Sequence, residues 1–377
     1  MSDWADWAAR ETDRIRSAGR WRAPVDLDAA GPEGKLAPDG RAVVAFASND
    51  YLGLTQHPDV VAAAHAALDR WGAGSGAARL IVGSRPVHRE LEEALADWKG
   101  TEAAVLFPTG FAANLGVLGA LASPGTLVCS DELNHASIID GTRLARADVE
   151  VYPHRDLDVL DRLLRERGDR RALVVTDTAF SMDGDTVDAS ALVETCADHG
   201  ALLVVDEAHA VLGPDLPAQP DIVRVGTLSK TLGSLGGFVA ASRPLADLVV
   251  NRARSYIFTT ASTPADSAAA LAALGVLRGP EGAALVARLR AHVDRLRPGH
   301  PSPILPVHCG SEARALEAAA ALLERGLLVP AIRPPTVAPG TSRLRIALSA
   351  AHTAEQVDEL RAALDDLGLE AGTPPGP

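Results

Sequence analysis

The chain has 377 residues, 47% of them hydrophobic, and a formal net charge of −13. That apolar content suits a large buried core, and the length amounts to two or three domains at roughly 150 residues each. The acidic balance argues against nucleic acid or an anionic membrane as partner, since both need clustered positive charge, but not against an anionic substrate held in a local arginine pocket.

The first residues are charged and lack the apolar stretch of a signal peptide. Trp4, Trp7, Ala8, Glu11 and Ile15 recur at helical spacing, which predicts a helix laying its tryptophans on the body of the protein or on a partner subunit. No apolar run approaches the ~18 residues of a membrane span. Gly72-Ala-Gly-Ser-Gly76 follows the helix-like Ala62–Trp71 rather than a strand, so it lacks the context of a dinucleotide loop. Cys129, Cys196 and Cys309 lie far apart with no metal-binding spacing. A reducing cytoplasm is the expected location.

From residue 103 onward, short apolar runs alternate with longer helical patterns. Strands are predicted at Ala103–Phe107, Leu127–Ser130, Ala172–Thr176, Leu202–Asp206, Ile222–Thr227 and Gly237–Ala241. Helices are predicted at Gly110–Leu121, Ile138–Ala145, Leu157–Arg165 and Ala189–His199. This alternation implies crossover units and a mainly parallel sheet, an α/β fold with ligands at the carboxyl ends of strands. The break at Arg278-Gly-Pro280 opens a smaller α/β region. It has predicted helices Ala283–Leu296 and Ala313–Arg325 and strands Ile304–His308 and Arg343–Leu348.

The chemistry gathers at strand ends. Only three of the thirty-six basic residues are lysines: Lys35, Lys99 and Lys230. Lys230 sits in Gly226-Thr-Leu-Ser-Lys-Thr-Leu-Gly-Ser-Leu-Gly-Gly237, among glycines and hydroxyls. Lysine, unlike arginine, loses its proton when desolvated and becomes a nucleophilic amine. An ordinary surface lysine is the alternative. Asp206 closes the strand Leu202–Asp206, with Glu207 and His209 following. A carboxylate there needs a cation. A metal held by Asp206, Glu207 and His209 is one choice, a protonated pyridine nitrogen another, and a helix N-cap a third.

Aspartate at one strand end and lysine one crossover later fit pyridoxal phosphate (PLP), whereas a metal leaves Lys230 without a role. The turn Thr109-Gly-Phe-Ala-Ala113 opens a helix after a strand, where free amides receive phosphate, and Thr227 and Ser229 add hydroxyls. His135 follows another strand end and is placed to stack over a planar ring.

Several long motifs stand in one order: Ser48-Asn-Asp-Tyr-Leu-Gly-Leu54, Asn134-His-Ala-Ser-Ile-Ile-Asp-Gly141, Phe180-Ser-Met-Asp-Gly-Asp185, Asp206-Glu-Ala-His209, Gly226-Thr-Leu-Ser-Lys230 and Ile332-Arg-Pro-Pro-Thr-Val337. From about Trp21 to about residue 365 the chain resembles the α-oxoamine synthases, PLP enzymes of fold type I. That resemblance implies a mainly parallel central sheet flanked by helices, an N-terminal helix and arm (1–48), a large PLP-binding domain (49–277) and a small C-terminal domain (278–377). It implies a decarboxylative condensation of an amino acid with an acyl thioester, and the branch it most resembles joins L-alanine to a pimeloyl group. The thiol carrier, CoA or acyl carrier protein, stays open. Sister enzymes that use glycine or serine with another acyl-CoA, and a plain aminotransferase, are the alternatives.

By the same resemblance, Lys230 binds the cofactor and shuttles the Cα proton, Asp206 pairs with the pyridinium, and His209 bonds the ring's phenolic oxygen with help from Ser181. His135 stacks on the ring, and Gly110, Phe111 and Thr227 serve the phosphate. Arg333 holds the amino-acid carboxylate with Asn49 nearby. Thr336 and an N-terminal arginine, Arg20 in preference to Arg22, meet the acyl chain. Thr259 and Thr260 reach the cofactor of a partner subunit in a homodimer with shared sites. Two departures stand out: Asp177 replaces the glutamate of many relatives, and the segment 213–221 is short.

Overall fold

The computed structural model describes residues 3–37 and 39–371. A seven-stranded sheet is its framework. In spatial order the strands are Ala103–Phe107, Gly237–Ala241, Ile222–Thr227, Leu202–Asp206, Ala172–Asp177, Leu127–Asp131 and Asp148–Tyr152. All pairings are parallel except those of Gly237–Ala241, which runs antiparallel to both its neighbours.

The inner strands are largely apolar because both faces are covered. Side chains alternate between faces at a period of two. Val128, Leu173, Val175 and Val204 enter one core with Val117 and Leu118 of the helix Gly110–Leu121. Leu127, Cys129, Val174, Leu203 and Val205 enter the other with Leu160, Leu164 and Leu192. Asp148–Tyr152 was not expected from the sequence. It is an edge strand with only Tyr152 buried, so its alternating charges hide the apolar signal.

The C-terminal region forms a three-stranded sheet of Ile304–Gly310, Ser342–Ala347 and Ala331–Ile332. A further sheet joins Leu27–Ala29, Glu33–Leu36 and Arg41–Ala45 to Leu327–Leu328. Residues from both chain ends therefore share one hydrogen-bonded ladder. A third core runs from Phe46, Tyr51 and Leu54 to Leu344, Ile346 and Leu360.

The expected N-terminal helix spans Asp3–Ser17, but none of its residues is buried. Trp4 is 76% exposed and meets only the edge of Trp7, so the tryptophans do not lie on the body. No single helix among the described residues is long and apolar enough to cross a membrane.

Candidate active site

Asp206 and Asp177 sit side by side at the ends of adjacent parallel strands. Beyond Asp206 the chain turns sharply, because the amide of Ala208 donates to Asp206 Oδ1 at 2.9 Å. That turn carries His209 back over the strand end. The Lys230 loop closes on itself: the amide of Leu228 donates to the Gly236 carbonyl and that of Ser234 to the Leu228 carbonyl, each at 2.9 Å. The two turns bring Lys230 Nζ to 2.7 Å from His209 Nε2. Enclosure in the cleft lowers the proton affinity of the lysine amine; Arg345 pushes the same way, against Asp206 and Asp177. Burial drives His209 well below its usual value, and Lys230 and Arg345 add to the effect, so its ring is neutral.

Asp206 is buried and has no ion-pair partner within 4 Å among the described residues. Asn114 Nδ2 donates to its Oδ2 at 2.7 Å. The same amide donates to Ser137 Oγ at 2.9 Å. His135 Nδ1 lies 2.7 Å from that hydroxyl and also accepts the Ser137 amide at 3.2 Å. Two donors on Nδ1 put the His135 proton on Nε2. The His135 ring is exposed at the mouth of the site, with the edge of Phe111 at 6.4 Å.

Asp177, the shortened carboxylate, keeps its contacts. It accepts the amide of His135 at 2.8 Å, and its own amide donates to Asn134 Oδ1 at 3.0 Å. Burial, reinforced by Asp206, raises its pKa well above the usual carboxylate range.

Glu207 turns away from the site. It pairs with Arg224, and with Lys99 Nζ at 2.7 Å. Asp206, Glu207 and His209 therefore do not converge as metal ligands. Arg224 also donates to the carbonyls of Leu216 and Pro217 at 2.6 and 2.9 Å, fastening the short segment 213–221 to the sheet.

The helix Gly110–Leu121 begins against the Lys230 loop. Thr109 Oγ1 caps it by accepting the amide of Ala112 at 3.0 Å, and the amides of Gly110 and Phe111 have no acceptor among the described residues. A Cβ on Gly110 would stand 3.2 Å from Thr227 Cβ. Thr227 Oγ1 donates to the Gly236 carbonyl at 2.9 Å and lies 2.7 Å from Ser229 Oγ. Free amides at a helix N-terminus beside a hydroxyl suit a phosphate. The buried carboxylate of Asp206 suits a pyridinium, and the Lys230 amine suits an aldehyde. The residues present therefore fit PLP.

The outer residues are placed less uniformly. Asn49 Oδ1 lies 3.2 Å from Tyr51 Oη and accepts from Arg345 Nη2 at 3.1 Å. Ser181 offers its carbonyl to Arg345 Nε at 2.5 Å. Arg333 Nη1 donates to the Gly19 carbonyl at 2.7 Å, tying it to the N-terminal arm. Arg20 pairs with Glu312 at 3.2 Å, whereas Arg22 reaches the Pro334 carbonyl at 3.3 Å and Thr336 Oγ1 at 3.5 Å. The arginine beside Thr336 is thus Arg22, not Arg20, because Glu312 draws Arg20 aside. Thr259 and Thr260 follow the short helix Arg254–Ile257, and no hydrogen bond joins either to the Lys230 cleft. Tyr51, Asn114, Ser137 and Arg345 carry roles that were not read from the sequence. Tyr51 and Ser137 lie within the sequence motifs 48–54 and 134–141; Asn114 and Arg345 lie outside them all.

Residues 41–364 match the family of class I and II aminotransferases. The 8-amino-7-oxononanoate synthase of Anaeromyxobacter dehalogenans is 51% identical, over 95% of this chain and 94% of its own. Among solved structures, serine palmitoyltransferase from S. paucimobilis, with PLP and myriocin bound, superimposes with a TM-score of 0.88 at 30% identity. That match covers 96% of this chain and 98% of the other. The 8-amino-7-oxononanoate synthase of Francisella tularensis gives a TM-score of 0.73 at 24% identity, covering 86% and 98%, a likeness of fold.

Proposed function

The chain belongs to the 8-amino-7-oxononanoate synthases, PLP enzymes of fold type I, and on that premise we propose that it condenses L-alanine with a pimeloyl thioester, releasing CO₂ and the free thiol carrier. The observation that carries this reading is the buried Asp206, without an ion-pair partner, facing the same cleft as the close pair Lys230 and His209. When bound, PLP takes up the negative charge left on the substrate's Cα.

The chain's own residues supply the rest. The Lys230 amine, kept short of full protonation by its enclosure, removes the Cα proton and later returns one. Asp206, held by Asn114 and the Ala208 amide, is positioned to pair with the ring nitrogen. The His135 ring, oriented through Ser137, forms a wall of the cleft. Gly110, Phe111 and Thr227, with Ser229, receive the phosphate. Arg333 and Asn49 hold the alanine carboxylate, and Thr336 with Arg22 meets the acyl chain; the contact between the last two supports Arg22 over Arg20. Ser181 and His209 face the ring's phenolic oxygen.

The working form is a cytoplasmic homodimer in which Thr259 and Thr260 reach the partner's phosphate. Segments 1–48, 49–277 and 278–377 act as arm, large domain and small domain. CoA and acyl carrier protein are both accommodated as carriers by this scheme. The higher identity to the alanine-using relatives than to serine palmitoyltransferase supports alanine over serine.

Thiol release, measured across alanine, glycine and serine with pimeloyl-, acetyl-, succinyl- and palmitoyl-CoA, tests the assignment. Preference for alanine with pimeloyl-CoA is expected; a preference for glycine or serine overturns it. A Lys230→Ala protein that still turns over alanine removes Lys230 from its role.

A further inference from the structure

Tyr51 is fully buried, and its hydroxyl lies 2.6 Å from His209 Nδ1, on the side of the ring opposite Lys230. A neutral imidazole carries one proton, so the partner at Nδ1 decides what Nε2 presents. There are two arrangements. If Tyr51 donated to Asn49 Oδ1, it would accept from Nδ1–H, and Nε2 would be a bare lone pair. If Tyr51 donates to Nδ1, the proton stands on Nε2 and points at Lys230.

The distances separate them. The contact to Asn49 Oδ1 is 3.2 Å, beyond the usual O–H···O range of about 2.5–3.0 Å, and Arg345 Nη2 already donates to that oxygen. The contact to Nδ1 is far shorter. Burial pushes the Tyr51 phenol up to about 12, so it keeps a proton to give. Lys230, Arg345 and His135 surround His209 with positive or neutral groups, and none offers it a carboxylate; Asp206 and Asp177 act on Lys230 instead.

We infer that Tyr51 is a positioning residue that fixes the His209 proton on Nε2, making His209 a permanent donor toward Lys230 Nζ and toward the ring-oxygen position beside it. An amine facing an N–H accepts a hydrogen bond only when unprotonated. The tyrosine thus favours the basic form of Lys230 from the far side of a histidine, without touching substrate. The catalytic consequence rests on the function proposed above; the proton's location does not.

The experiment is ¹⁵N NMR of histidine-labelled protein, with the His209 signals identified by their loss in His209→Asn. A single tautomer protonated at Nε2 is expected in the wild type. Tyr51→Phe, which removes one oxygen and no packing carbon, should give a mixture or the Nδ1–H form. In the PLP-loaded protein the same variant should shift the pH midpoint of the visible cofactor band. It should lower kcat about tenfold, the scale of one hydrogen bond, with KM for alanine changed less than about twofold. Nδ1–H in the wild type, or an unchanged tautomer and band midpoint in Tyr51→Phe, overturns the inference. Failure to turn over alanine with an intact Nε2–H signal would instead count against the proposed reaction.

Discussion

Replacing Glu207 with alanine isolates the most charge-dense part of the buried framework. Glu207 is 4% exposed, between Arg224 at 6% and Lys99 at 14%. Deleting the carboxylate leaves two cations without a counter-charge, and a broken buried pair costs about 3–5 kcal/mol. Lys99→Met is the contrasting change. It leaves Arg224 on Glu207 and gives up one ion pair and a cation–π contact over Trp98 at 3.8 Å, about 1–2 kcal/mol. With an unfolding entropy near 2.1 cal/mol/K per residue, a chain of this length melts about 1.3 °C lower per kcal/mol lost. Calorimetry of the cofactor-free protein should therefore lower Tm by about 4–6 °C for Glu207→Ala and about 1–3 °C for Lys99→Met. Equal losses would refute the reasoning, because they would mean that Arg224 and Lys99 remain solvated after the carboxylate is gone.

Burial opposes charge on His154, but hydrogen bonds to Asp131 and Asp185 outweigh it and push its pKa up to about 9, with Arg155 also on Asp185. A raised folded-state value stabilises fully below about pH 6.5 and is lost as pH rises through about 9. The denaturant midpoint of the wild type should exceed that of His154→Asn at pH 6 and converge on it above pH 9. A Cβ on Gly237 would stand 2.4 Å from the Thr109 carbonyl and 2.5 Å from the Gly110 amide. Gly237→Ala should displace the turn 109–113, proposed above to receive the phosphate, and weaken PLP binding at least about tenfold in titrations of the apoprotein. Asp206→Asn removes the counter-charge proposed for the ring nitrogen and should reduce turnover by at least about 100-fold, followed by thiol release, while the protein still folds.

The parallel framework was legible because fully buried strands are apolar runs between helical patterns. Ala103–Phe107, Leu202–Asp206 and Gly237–Ala241 match residue for residue. Asp206 and Lys230 could be read because strand ends and glycine loops mark a cleft without any knowledge of packing. Asn114 and Ser137 could not. Asn114 lies inside a helix pattern and Ser137 just ahead of one, and the partner of each is chosen only when two helices meet over the sheet. Arg345 looks like one basic residue of an ordinary strand until its neighbours Asn49 and Ser181 are known. The choice between Arg20 and Arg22 depends on Glu312, nearly three hundred residues away, and two arginines on an extended arm carry no local sign of it.

The reversed strand Gly237–Ala241 also sets an order of events during synthesis. Among the described residues Ala103–Phe107 pairs with no other strand, so the turn 109–113 that follows it has no fixed place until the Gly237–Ala241 segment leaves the ribosome. Arg345, which joins Asn49 to Ser181, emerges later still. A growing chain therefore acquires its cofactor cleft only near completion, and fragments ending before residue 342 should remain unable to retain PLP however well their first strands fold.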